Sequence, residues 1–180
     1  MRIKTNFKWV IMIILVSIAA TMVFTLASTE VLGRINYVAA FAILAAFIIL
    51  GIVFDILGVA VTAATEAPFH SMAAHRENGA MEALLLIKSA DRVSSFCNDV
   101  VGDVSGIVSG GAAALIAARL MQGLGTGNIL LPLLISGAVS GLTIGGKAIG
   151  KTYALNNSTV IVQKTGKLLY YLRLKPYSKK

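Results

Sequence analysis

Four ionisable side chains stand where ionisable side chains are costly. Asp55, Asp99, Asp103 and Lys147 each interrupt a run of otherwise apolar residues. Asp99 and Asp103 are four residues apart, which puts both on one face of a helix. Two carboxylates at that spacing repel unless a cation lies between them or one is protonated. Oxygen-rich surroundings suit a hard cation such as magnesium, and Thr62, Asn98 and Ser105 can add neutral oxygens. The residue types therefore admit a cation site on Asp99 and Asp103, with Thr62 and Asn98 as secondary ligands. They equally admit a structural ion pair between Lys147 and an aspartate, which leaves Asp55 and Lys147 as the ion-pairing or gating candidates. Glu66 lies just beyond, at the end of the second apolar run.

The remaining reactive residue types do not form a constellation. His70 and His75 are five apart and miss the spacing for two ligands on one helix face, so they read as ordinary surface residues. Cys97 is the one cysteine; it can make no internal disulfide and reads as a small packing residue. No GxSxG, P-loop or HExxH is present. An enzyme is not expected.

What must position the ionisable residues is a set of long apolar helices. Of the 180 residues, 57% are hydrophobic and 13% charged, with a mean hydropathy of +0.81. Soluble domains run at about 45–50% apolar and about 25% charged. Disordered chains, nucleic-acid-binding domains and disulfide scaffolds are therefore set aside. About 20 mostly apolar residues cross ~30 Å of hydrocarbon. Four stretches meet that length: Trp9–Leu26, Val38–Ala64, Val93–Leu120 and Ile129–Gly150.

The chain carries 16 Lys and Arg, and all but Arg34 and Arg119 fall on one side of these spans. Positive charge collects on the cytoplasmic side, so both termini are expected inside. The formal net charge of +8 is then a topology signal with a basic tail, and no nucleic-acid partner is implied. A signal peptide ending near Leu26-Ala27-Ser28 is the alternative for the first span. In this topology Asp55, Asp99, Asp103 and Lys147 all occupy the inner half of the membrane. There a charge costs ~2.5–3.5 kcal/mol near the centre and must face the bundle interior or water.

Residues 65–92 are more polar. Pro68 suits a first helical turn, Asn78-Gly79 reads as a stop and turn, and a second short helix runs from about Ala80 to Ser89. A helical hairpin on the cytoplasmic face is expected. From Asn156 to Lys180, apolar residues alternate with Lys164, Lys167, Arg173 and Lys175, as an interfacial amphipathic helix broken near Gly166 would require. Glycines recur every fourth position at Gly102, Gly106 and Gly110, and again at Gly137, Gly141 and Gly145. Such faces permit close backbone approach, so spans three and four are expected to pack tightly on them, or to offer a dimer face.

The order of elements from about Gly58 to Leu174 resembles the transmembrane domain of the CorB/cyclin-M magnesium transporter family. The stretches that carry the resemblance are Val61-Thr62-Ala63-Ala64, Glu77-Asn78-Gly79-Ala80, Asp91-Arg92-Val93-Ser94-Ser95 and Gly145-Gly146-Lys147 through Asn156. The last is similar to the family's G-E-x-x-P-K-x-x-A-x-x-N pattern, with Lys147 at its acidic position and Gly150 at its proline. The resemblance implies three spans, a cytoplasmic hairpin after the first of them, a belt-like interfacial helix after the third, and a homodimer. It further implies a short form without the family's cytoplasmic CBS-pair regulatory domains, and with one added N-terminal span.

The expected protein is an all-α, multi-pass protein of the cytoplasmic membrane with four spans, N-in and C-in. Residues 1–36 form a stub, an extra span and an outer loop. Residues 37–156 form the CorB-like domain, with spans at about 38–64, 93–120 and 129–150. Residues 157–180 form the basic interfacial helix and tail. Its expected work is transport or sensing of a divalent cation, magnesium first, in contact with membrane lipids and as a homodimer. The alternative is a non-transporting scaffold or accessory subunit with a structural Lys–Asp cluster.

Overall fold

The computed structural model describes residues 7–125 and 129–172, Leu124 by its backbone alone. Among these residues every regular element is helical. The α-helices are α1 (Phe7–Arg34), α2 (Tyr37–Ala63), α3 (Ala67–Ala74), α4 (Ala80–Lys88), α5 (Ala90–Ser95), α6 (Asp103–Leu124), α7 (Leu130–Asn156) and α8 (Ser158–Leu172). A π-helical turn, Phe96–Gly102, joins α5 to α6.

Four helical stretches are long and apolar enough to cross a membrane: Phe7–Arg34, Tyr37–Ala63, Ala90–Gly123 and Leu130–Asn156. The first is longer than its hydropathy suggests, running past Leu26 to Arg34. The fourth continues past Gly150 to Asn156, because Lys151 through Asn156 hold no residue that stops a helix. In α1 only Ser28 and Leu32 are buried by protein, while residues such as Ile11, Leu15, Val23 and Leu26 are exposed. A helix that is apolar all round with so little protein cover is compatible with a membrane span.

The chain forms two compact units. The first comprises Met1–Ile52 and Asn98–Gly146. Its core is Leu32 of α1, Ala40 and Leu44 of α2, and Ala112, Ala113 and Ile116 of α6. α2 approaches α6 closely at Gly51, where an added Cβ would stand 3.2 Å from Ser105 Cβ. Gly146 of α7 is tighter still, since an added Cβ there would collide with Ile52 Cδ1. α6 ends at Gly125, whose φ of +60° supplies the left-handed cap that glycine adopts at little cost.

The second unit comprises Val53–Cys97 and Lys147–Lys180. Its core gathers Ala60 and Val61 of α2, Phe69 of α3, Ala83 and Leu84 of α4, Ala154 of α7 and Val162 of α8. Pro68 lies in the first turn of α3, as its sequence predicts. The helix stops earlier than Asn78-Gly79. Arg76 takes the left-handed conformation with φ +57°, its N–H bonds Ala73 O at 3.0 Å and the Glu77 N–H bonds Met72 O at 3.0 Å. This is a Schellman cap with arginine at the position glycine usually holds. Gly79, at φ +86°, opens α4 instead.

α8 is unbroken through Gly166, contrary to the expected break. The glycine serves contact: an added Cβ on Gly166 would collide with Gly79 O and stand 2.9 Å from Ala83 Cβ. Gln163 Nε2 donates to Glu77 Oε2 at 3.3 Å. Glu77 opposite Gln163, and Gly79 opposite Gly166 and Lys167, show that α4 and α8 run in the same direction. The tail expected beyond Leu172 lies outside the described residues.

Candidate functional site

The third apolar helical stretch carries its polar residues at a change of helix type. Asn98 and Asp99 lie in the π-helical turn, and Asp103 is the first residue of α6. A π turn inserts a residue into the i→i+4 ladder and turns backbone carbonyls away from their usual partners. Nothing in the residue types signals it. Within the first unit, Val100, Gly102, Val104 and Ser105 are buried, while Asp99 and Asp103 are exposed on the other side. The two carboxylates therefore share a face that protein does not cover. Asn98 and Asp103 are each engaged by a partner.

The other expected site residues belong to the second unit. Asp55 is 4% exposed, and its Oδ2 accepts no hydrogen bond. Thr62 is exposed, and its hydroxyl donates to Val59 O at 2.9 Å, leaving its lone pairs to accept. Lys147 is partly buried and engaged. Glu66 is held by His70, with Oε2 3.2 Å from Nε2 across one helical turn. His75 is exposed and Cys97 is free and buried.

The structure thus gathers Asn98, Asp99 and Asp103 on one helical stretch. Among the described residues no group of three or more His, Cys, Asp or Glu could hold a metal ion. A cation bound here would rest on two carboxylates, neutral oxygens and its own water.

The glycine faces behave differently from their expectation. An added Cβ at Gly106, Gly110, Gly137, Gly141 or Gly145 would meet nothing within 4 Å. The α6 stripe borders a cleft of about 290 Å³, lined among others by Gly106, Ser109 and Gly110, to which α7 brings Ser136, Ser140 and Thr143 in place of its glycines. Beside the stripes, Ala113 of α6 is buried in the core cluster and Val139 of α7 packs partly buried against that cluster. The close glycine contacts are Gly51, Gly146, Gly79 and Gly166, outside the periodic stripes or at their ends.

Arg119 is the residue that sequence reasoning undervalued. Its guanidinium donates to the carbonyls of Leu32 and, at 3.0 Å, of Ile35, at the C-terminal end of α1. The guanidinium stands 5.2 Å from the centre of the Tyr37 ring, and the Tyr37 hydroxyl donates to Arg119 O at 3.3 Å. A cation on carbonyls that the helix leaves unbonded satisfies both hydrogen bonding and the helix dipole. Its signal in the sequence was being one of two cations on the side opposite the rest, with an aromatic residue just after the first span. Compared with protein-family models, with curated proteins and with solved structures, the chain matches none.

Proposed function

We propose that this chain transports or senses a divalent cation, magnesium first, as a multi-pass protein of the cytoplasmic membrane related to the CorB/cyclin-M transporters. The observation that carries the reading is the pair Asp99 and Asp103, on one face across a π-helical turn inside a span-length apolar helix. Carboxylates in such a segment are expensive and are kept for ion pathways or for pairing. In this reading both termini and the α3–α4 hairpin are cytoplasmic, and α8 lies along the membrane surface. Asp99 and Asp103 take the ion, and Asn98 beside them adds a neutral oxygen. The open cleft of α6 and α7 offers a face for a second copy.

The rival is a non-transporting scaffold. It is favoured by one observation: Asp103 and Lys147 each have a partner within the protein. Proteoliposomes loaded with a magnesium-sensitive dye separate the two. Transport predicts magnesium entry that is abolished by Asp99→Asn combined with Asp103→Asn, at unchanged protein insertion. Flux that persists in the double variant removes the site. Absence of flux in either direction, with no magnesium-dependent change in protease protection, removes the transport and sensing reading and leaves the scaffold.

A further inference from the structure

Past their glycine contact, α4 and α8 diverge around a pocket of about 430 Å³ lined by Glu82, Leu85, Leu86, Ser89, Leu169 and Leu172. Leucines make most of its wall. Glu82 is the exception: it is 8% exposed, and among the described residues no donor or cation pairs with it. Ser89 gives its proton to Leu85 O at 2.7 Å, so its hydroxyl meets the pocket as an acceptor. Among the described residues the site therefore offers acceptors and negative charge within an apolar wall, and no side-chain donor. The Glu82 carboxylate therefore meets the pocket, and a molecule that answers it there must bring positive charge, N–H donors and an apolar body.

We infer that this pocket binds a lipid with a primary ammonium head, of the ethanolamine phospholipid kind. Such a head places up to three N–H donors on the Glu82 carboxylate and the Ser89 oxygen, while an acyl chain follows the leucines. A trimethylammonium head carries the same charge but has no N–H to give, so choline lipids bind less well. An anionic glycerol head is repelled by Glu82. The outward face of α8 fits the same setting, with Leu168 and Tyr171 exposed beside Lys164 and Lys167. The inference rests on α4 and α8 lying at the membrane surface and is independent of the cation site.

The test is native mass spectrometry of the purified full chain in detergent. Phosphatidylethanolamine, phosphatidylcholine and phosphatidylglycerol of identical acyl chains are titrated in competition. The expected result is a preference for the ethanolamine lipid over the choline lipid of about tenfold, the ratio one charge-assisted hydrogen bond supplies. Glu82→Gln abolishes that preference while the protein stays monodisperse. Should Glu82→Gln misfold, Glu82→Asp, which keeps the charge but withdraws it by one methylene, reduces the preference and retains its order. Equal binding of the three lipids, a preference for the glycerol lipid, or a preference that survives Glu82→Gln overturns the inference. So does a preference that emerges only after residues 173–180 are removed, which gives the pocket to the chain's own basic segment. A protein that moves no magnesium yet selects the ethanolamine lipid leaves the inference intact, and magnesium flux without lipid selection removes it alone.

Discussion

Replacing Gly166 with alanine tests the contact on which the second unit closes. Taken as a helix position, the change is favourable, since alanine in a helix interior is better than glycine by ~0.5–1 kcal/mol. The surroundings reverse the sign. The new methyl would run into Gly79 O and lie 2.9 Å from Ala83 Cβ and 3.0 Å from Ala83 N. Two of these three atoms are backbone, so no side chain can turn aside, and Gly79 itself is pinned by its φ of +86°. Overpacking of this kind costs ~1–3 kcal/mol, with the upper end expected against backbone. The net is a loss of about 2 kcal/mol in the docking of α8, near a 30-fold rise in the undocked fraction. Trypsin reads that fraction directly, because Lys164 and Lys167 flank the contact and cleavage in a folded helix tracks its opening when reclosing is fast. Cleavage there should accelerate by about the same factor. Gly111→Ala is the control, since an added Cβ at Gly111 meets nothing within 4 Å; it should leave the cleavage rate unchanged. If Gly166→Ala resists trypsin as well as the parent protein, the close approach of α4 and α8 is not what holds this unit together.

Two further perturbations test the first unit and the buried acid. Arg119→Leu strips the donors from Leu32 O and Ile35 O and should cost about 3 kcal/mol, from hydrogen bonds to a charged group. Arg119→Lys should recover only part, because an ammonium cannot span two carbonyls as a guanidinium fork does. Thermal unfolding in detergent ranks the three proteins, and a Leu variant as stable as the parent contradicts the capping role. Asp55→Leu removes a buried carboxyl whose Oδ2 has no donor and fills the site with hydrocarbon. It should raise stability by ~1–4 kcal/mol while lowering magnesium flux, the pattern expected where a costly residue is kept for function. A Leu variant that is less stable than the parent means the carboxyl is structural after all.

Much of the architecture was written in local patterns. Four apolar runs of spanning length specify helices in lipid without reference to one another, because each satisfies its own backbone hydrogen bonds. Pro68 marks the start of α3 for an equally local reason, while Gly79, read from its type as a helix stop, opens α4 instead. The pair Asp99 and Asp103 could be picked out from spacing alone, since a separation of four residues means one face in nearly any helix. What lay beyond reach were the features that depend on which surfaces meet. The π turn at Phe96–Gly102 places an extra residue in a ladder that no residue type announces. The glycine stripes of α6 and α7 look like packing faces, yet an added Cβ at Gly106, Gly110, Gly137, Gly141 or Gly145 meets nothing within 4 Å, because periodicity records what can approach and not what does. The contact made by Gly79 and Gly166 joins residues far apart in the chain and has no local signature in either helix.

The division follows from the range of the forces. Hydropathy, helix stops and the spacing of acids act within one or two turns, so the amino-acid order alone determined an all-helical chain with four spanning-length segments and a pair of carboxylates on one of them. The burial of Glu82 and Asp55 and the grip of Arg119 on the end of α1 arise only when distant segments exclude solvent from one another. These were decided by tertiary structure, because desolvation belongs to a place in the fold and not to a residue in the chain.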